Sequence, residues 1–182
     1  MKIIGISGLA RSGKDSFFDL AKTFLRKKGL KYRKMSFADE LKKECEELLS
    51  KYVGVSAFTE KDSEKEIIRP LLVTYGTHIR RKLNENCWIE KIEPEVKRCL
   101  ANKEVVFITD VRFKNEIDWV HNQGGNSVHI TRCGIKPPNK DEEINDPILK
   151  RESNFQIKWN NFESENMINV NKEIESILND SI

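Results

Sequence analysis

The chain has 182 residues, 34% of them charged and 38% hydrophobic, a length that suits one domain and buries enough surface to hold a core without disulfides or metal. No stretch approaches the roughly 18 apolar residues of a membrane span, which excludes a membrane protein. The net charge of +3 is unevenly placed: residues 1–50 carry 12 Lys/Arg and 7 Asp/Glu (+5), residues 141–182 carry 4 and 10 (−6), the mark of either an anionic partner or a solvated surface.

In chain order, residues 2–7 form a short β-branched apolar run and predict a buried strand. Gly5, Ser7 and Gly8 interrupt that run, and Arg11 and Lys14 stop it, so it does not serve as a secretion signal. Residues 15–28 carry Phe17, Ala21, Phe24 and Leu25 at helical spacing, with Gly29 as the stop. A second strand is predicted over 32–37 and a helix over 38–51. Residues 64–83 give the clearest amphipathic helix, in which Ile68, Leu71, Leu72, Tyr75, Ile79 and Leu83 recur at three and four residues. A helix over 88–100 follows. Residues 104–109 include Val105-Val106-Phe107-Ile108, a run typical of a central parallel strand. A helix over 115–122, a strand over 127–131, a strand over 167–170 and a helix over 172–178 complete the chain. Residues 133–160, with Pro137, Pro138 and Pro147 among polar groups, read as a long loop or lid. Alternating strands and helices indicate a parallel α/β sheet in one domain. Cys45, Cys87, Cys99 and Cys133 show no C-x-x-C spacing, and there are three His; reduced thiols in a cytoplasmic protein fit best.

The chemistry begins directly after the first strand. Gly8-Leu9-Ala10-Arg11-Ser12-Gly13-Lys14-Asp15 fits G-x-x-x-x-G-K. Glycines there let backbone N–H groups turn inward around a phosphate, and the helix that follows aims its positive end at the same anion. Lys14 reaches β- and γ-oxygens. The position after the lysine is ordinarily Ser or Thr, whose hydroxyl holds Mg²⁺. Here it is Asp15, followed by Ser16, so either Asp15 coordinates the ion or Ser16 substitutes, and Mg²⁺ dependence is expected. Asp110 closes the 104–109 strand, where ligands of open α/β sheets bind; it either organises Mg²⁺ or caps the next helix. Arg112 has the two-pronged donor geometry that grips phosphate. Asn139-Lys140-Asp141-Glu142 comes close to the guanine-binding N-K-x-D but ends in Glu142, and Asp110-Val111-Arg112-Phe113 lacks the glycine of D-x-x-G, which argues against a GTPase. A small phosphate-loop enzyme with a long polar segment fits a nucleotide kinase whose lid excludes water.

The loop Gly8-Leu9-Ala10-Arg11-Ser12-Gly13-Lys14-Asp15-Ser16 resembles G-x-x-R-S-G-K-D-[ST] of the phage-type deoxynucleoside monophosphate kinases. Phe37-Ala38-Asp39-Glu40-Leu41-Lys42 looks like their segment after the second strand. Leu72, Gly76-Thr77, Arg81 and Trp88 are similar to L-x-x-x-G-T-x-x-x-R … W, and Thr109-Asp110-Val111-Arg112-Phe113-Lys114-Asn115-Glu116 to D-V-R-F-x-N-E. The resemblance covers about residues 2–132. It implies a P-loop NTPase with an adenylate-kinase-like α/β fold, a three-layer sandwich of about five parallel strands, that transfers the ATP γ-phosphate to a deoxynucleoside monophosphate, with no nucleic-acid or membrane partner and a homodimeric state. Departures stand at His78, where an acidic residue is common, and at Arg151-Glu152-Ser153.

On this reading Lys14, Asp110 and Arg112 are catalytic. Gly8, Arg11, Ser12, Gly13, Lys14, Asp15 and Ser16 hold the ATP phosphates, and Asp15, Ser16 and Asp110 the Mg²⁺. Lys42, Arg69, Gly76, Thr77, Arg81, Trp88 and Glu116 form the acceptor site, and Arg132 and Arg151 serve the lid. Trp88 is as readily core as base platform, and Arg69 and Arg81 as readily solvated charges. Two rival readings are a small-metabolite kinase with the same G-K-D loop, acting on acids such as phosphomevalonate, and a nucleic-acid-binding ATPase. The second draws on the basic run Lys22, Arg26, Lys27, Lys28, Lys31, Arg33 and Lys34, which also suits a helix end, and no aromatic stacking platform accompanies it. The metabolite kinases are expected to lack the 76–81 and 110–116 segments together.

Overall fold

The computed structural model describes residues 2–159 and 164–182. The elements run β1 (Ile3–Ser7), α1 (Lys14–Lys27), β2 (Tyr32–Met35), α2 (Phe37–Leu48), α3 (Asp62–Val73), α4 (Arg81–Leu83), α5 (Cys87–Ala101), β3 (Val105–Val111), α6 (Lys114–Asn122), β4 (Asn126–Arg132), α7 (Lys140–Glu152), β5 (Phe155–Trp159) and α8 (Ser164–Ser181), with π-helical turns at Leu49–Val53 and Thr74–Arg80. Two compact units divide the chain, Met1–Met35 with Glu95–Ile182, and Ser36–Pro94.

The first unit is an α/β layered fold on a five-stranded sheet of order β2-β3-β1-β4-β5, parallel throughout. Side chains alternate across a strand, so Ile4 and Ile6 face one way with Val105, Phe107, Val128, Ile130 and Ile157. They meet Phe17, Ala21 and Leu25 of α1 and Ile174, Ile177 and Leu178 of α8 in one core. Phe18 stands edge-on to Phe107, centroids 5.4 Å apart. Burying each such aromatic contributes about 1.5–3 kcal/mol. On the other face Gly5 lies under α6, where a Cβ would come within 3.1 Å of Val120.

The second unit is helical, built on Cys45, Leu49, Ala57 and Ile68 with Leu41, Leu71, Leu72 and Tyr75 against them. Glu44 ties it together. Tyr75 Oη donates to its carboxylate at 2.8 Å, Arg80 Nε lies 3.1 Å away and Lys91 Nζ 2.8 Å away. Burial raises the Glu44 pKa, but these partners outweigh it and hold the carboxyl below its ordinary value.

The structure corrects four expectations. Residues 64–83 do not form one regular α-helix: the π-helical turns at Thr74–Arg80 shift the buried stripe out of phase, so Ile79 and Leu83 of the expected stripe are exposed. Residues 133–160 are not a long loop but contain α7 and β5. The strand expected at 167–170 lies in α8. Residues 36 and 37, placed at the end of the second strand, instead cap and begin α2.

Candidate active site

Parallel strands with this order split around β1: β3 lies on one side of it and β4 on the other. The crevice outside the carboxyl ends at such a reversal is where ligands bind. The loop between β1 and α1 sits there. Gly8 (φ 132°), Arg11 (φ 65°) and Gly13 (φ 103°) all have left-handed backbone. At Gly8 a Cβ would lie 2.3 Å from the Ile130 carbonyl oxygen, so the fold admits no side chain there. Arg11 accepts the strained conformation, which costs an L-residue about 1–2 kcal/mol. The loop presents the free N–H groups of the α1 start to the crevice.

Lys14 Nζ donates to the carbonyls of Gly8 and Leu9, each at 2.7 Å. Its pKa is lowered to about 8, first by burial and then by the charge of Arg112, against the opposing fields of Glu142, Asp110 and Asp15. Arg112 and Asp110 thus act on the same ammonium. A register shift delivers them: Gly5 pairs with Ile108 but Ser7 with Val111, so β3 carries one residue more than β1 across Thr109-Asp110. Bulges of this kind re-aim side chains beside active sites. Arg132, at the end of β4, reaches the loop from the other side, its Nη1 donating to the Arg11 carbonyl at 3.5 Å.

Ser12 Oγ is buried and has no hydrogen-bond partner among the described residues. Such an orphaned hydroxyl costs about 1–3 kcal/mol, which a phosphate oxygen would recover. The metal candidates separate. Asp110 is half-buried at the strand end and Ser16 is half-buried in the first turn of α1, whereas the Asp15 carboxylate is exposed and pairs with Lys34 at 2.8 Å. Among the described residues no group of three or more His, Cys, Asp or Glu is arranged to hold a metal ion.

Other expected site residues stand elsewhere. Glu116 is buried, and its carboxylate accepts the backbone N–H groups of Arg112 (2.7 Å) and Phe113 (3.1 Å); it fixes the start of α6 and thereby Arg112, as an N3 glutamate does in a capping box. Arg151 is exposed at the end of α7 and pairs with Glu152. Within the second unit, Lys42 Nζ stands over the Phe58 ring, Arg69 is exposed, Thr77 is half-buried and Arg81 Nη1 donates to the Glu85 carbonyl at 3.1 Å. Gly76 is buried where a Cβ would come within 2.7 Å of Leu41. Trp88 is a core residue, its Nε1 donating to the Gly76 carbonyl at 3.4 Å and Arg80 stacked over its ring.

Two residues were not anticipated. Glu142, in the first turn of α7, accepts the Ala10 N–H at Oε2 (3.0 Å) and the Arg112 guanidinium at Oε1 (2.6 Å). His129 on β4 shares a hydrogen bond with Ser7 (Nδ1 to Oγ, 3.0 Å), and its Nε2 lies 3.6 Å from Asp146. Asn139-x-x-Glu142 spacing was the available signal for the first. It is a helix start, and the Asn139 side chain does accept the Glu142 N–H. For His129 an apolar strand with one His offered no signal.

The phosphomevalonate kinase family model matches residues 6–126. No curated protein matches the sequence. Among solved structures, a Thermus thermophilus protein is similar at 16% identity and TM-score 0.49, over 98% of this chain and 94% of that one. Shikimate kinase from Bacteroides thetaiotaomicron is similar at 16% and 0.43, over 97% and 96%. APS kinase from Mycobacterium tuberculosis, in complex with AMPPNP and APS, is similar at 13% and 0.40, over 98% and 95%.

Proposed function

We propose that this chain, which belongs to the phosphomevalonate kinase family, transfers the γ-phosphoryl group of ATP to the phosphate of a deoxynucleoside monophosphate, giving ADP and the diphosphate. The observation that carries this reading is the left-handed loop after β1, with the Arg112 guanidinium close enough to Lys14 to help lower its pKa. Phosphoryl transfer needs alignment and charge neutralisation more than covalent help. Loop N–H groups from Gly8 to Lys14 cradle the ATP phosphates, with Ser12 Oγ as a further donor. Lys14 exchanges its two carbonyl partners for β- and γ-oxygens and follows the migrating group. Arg112 neutralises the acceptor phosphate, and Glu116 holds it in register. Arg11 and Arg132 add positive charge at the rim. Asp110 and Ser16 would hold Mg²⁺ (with Asp15 if it leaves Lys34), which would supply charge neutralisation to the transferring phosphate. Lys42, Arg69, Thr77 and Arg81 remain acceptor-phosphate candidates, while Gly76 and Trp88 are accounted for by packing.

The acceptor is chosen on the 76–81 and 110–116 segments of the sequence. A second reading has an equally specific support: the matched family is named for phosphomevalonate, also a phosphomonoester. The match runs across both segments, so they do not separate the two acceptors. An ADP-release assay over dTMP, dGMP, dCMP, 5-modified dCMP, dAMP, AMP and 5-phosphomevalonate decides. Turnover with a deoxynucleotide supports the first reading, and turnover with phosphomevalonate alone replaces it. ATP hydrolysis stimulated by nucleic acid, without acceptor turnover, would make the protein an ATPase.

A further inference from the structure

Two donors that this reading assigns to phosphate, one in the ATP loop and one facing the acceptor, already have an anionic partner inside the chain. The Ala10 N–H donates to Glu142 Oε2 at 3.0 Å and Arg112 Nη1 to Oε1 at 2.6 Å. The Glu142 side chain is 11% exposed, held over a small cleft lined by Gly8, Leu9, Val111 and Arg112 from the loop and strand side and by Asn145 and Asp146 from α7. One backbone N–H has one hydrogen to give, so the loop cannot offer Ala10 to Glu142 and to a phosphate oxygen together. A carboxylate left beside a triphosphate would also repel it. We propose that Glu142 is a built-in occupant of the phosphate loop, a strap that must release Ala10 and Arg112 before the loop takes the nucleotide; the proposal rests on the phosphate-loop reading above.

The helix that carries Glu142 is built for such a release. Its far half is anchored: Leu149 is buried, and the Lys150 carbonyl accepts from Gln156 Nε2 of β5 at 3.0 Å. Its near half is polar, with Asp141, Glu142 and Glu143 in the first turn. Pro147 lies between the halves and removes the hydrogen bond to the Glu143 carbonyl. The near half therefore moves at the loss of few apolar contacts. Asp146 lies 3.6 Å from His129 Nε2 of β4. Charge-assisted hydrogen bonds are roughly twice as strong as neutral ones, and an occupant present about 90% of the time weakens apparent affinity about tenfold.

The test is calorimetric titration of Mg²⁺ with adenylyl imidodiphosphate, and separately of inorganic tripolyphosphate, into the full chain, Glu142→Gln and Glu143→Gln. Glu143 is the exposed acid next along α7, so Glu143→Gln reports the effect of charge alone. The expected result is about tenfold tighter binding of both probes to Glu142→Gln than to the wild type, with less than about a twofold change for Glu143→Gln, whose exposed charge is screened. Equal affinity for wild type and Glu142→Gln, or the same gain in both variants, overturns the strap and leaves the phosphate loop standing. Binding of neither probe to either protein overturns the phosphate-loop reading and the strap with it. Hydrogen exchange on the wild type keeps the idea testable should Glu142→Gln not fold: adenylyl imidodiphosphate is expected to speed exchange over residues 140–146, and slower exchange there refutes release.

Discussion

His129 makes the protein's stability depend on acid in a calculable way. It is 1% exposed between Ser7 and Asp146, and burial, then the cations Lys150 and Lys14, push its pKa from 6.5 to about 4. In the unfolded chain it takes a proton near 6.5, in the folded chain near 4. Between those values the unfolded state holds more protons, so stability falls as pH falls. The contribution is intact above about pH 6.5, and its full loss, below about pH 4, is roughly 3 kcal/mol at 1.36 kcal/mol per pH unit. At about pH 5 the linkage relation gives a loss of roughly 2 kcal/mol relative to pH 7.5. Urea unfolding followed by circular dichroism measures it. With a urea slope of about 2 kcal/mol/M, the midpoint drops by about 1 M from this residue. Other groups contribute to the same slope, so the decisive quantity is the difference from His129→Asn. Asn places an amide near Nδ1 for Ser7 and does not titrate in this range. The wild-type advantage over His129→Asn is expected to shrink by roughly 2 kcal/mol between pH 7.5 and 5. An advantage that stays constant across that interval would refute the claim that His129 is held neutral.

Lys14→Ala is expected to lower turnover by orders of magnitude while far-UV circular dichroism is unchanged, since it removes charge at the migrating group and no core contact; near-normal turnover would sink its assigned role. Gly8→Ala should abolish nucleotide binding by calorimetry and lower the melting temperature, because its Cβ would meet the Ile130 carbonyl at 2.3 Å on a backbone of φ 132°. Glu116→Ala leaves two backbone N–H groups without their acceptor, at about 1–3 kcal/mol for each buried one, and should raise KM for the acceptor more than for ATP as Arg112 loosens. Asp110→Asn is expected to shift the Mg²⁺ requirement upward in a titration of activity, and an unchanged Mg²⁺ curve would reduce Asp110 to a strand-end residue.

The phosphate loop was legible because its chemistry lies within nine consecutive residues, Gly8 to Ser16, between a β-branched run and a helical stripe. The place of Asp110 and Arg112 was legible for a similar reason, at the end of an unbroken apolar run that can be little other than a central strand. The tail was misread where local signals are weak. Met167-Ile168-Asn169-Val170 is a short apolar run that fits strand or helix, and the helical repeat of Ile174, Ile177 and Leu178 against the sheet decides for α8. α7 is mostly polar, so periodicity says little, and its start is marked by the Asn139-x-x-Glu142 spacing. Trp88, Gly76 and Glu116 look like site residues in a motif and are packing or capping residues in space. Sequence alone pointed to the kinase class and to the loop proposed to serve it, because those depend on neighbours in the chain. Tertiary structure decided that Glu142, more than a hundred residues away, lies on that loop, and that His129 is buried against Ser7. Strand order and helix packing bring distant residues together, and no local pattern records which carboxylate will meet which donor.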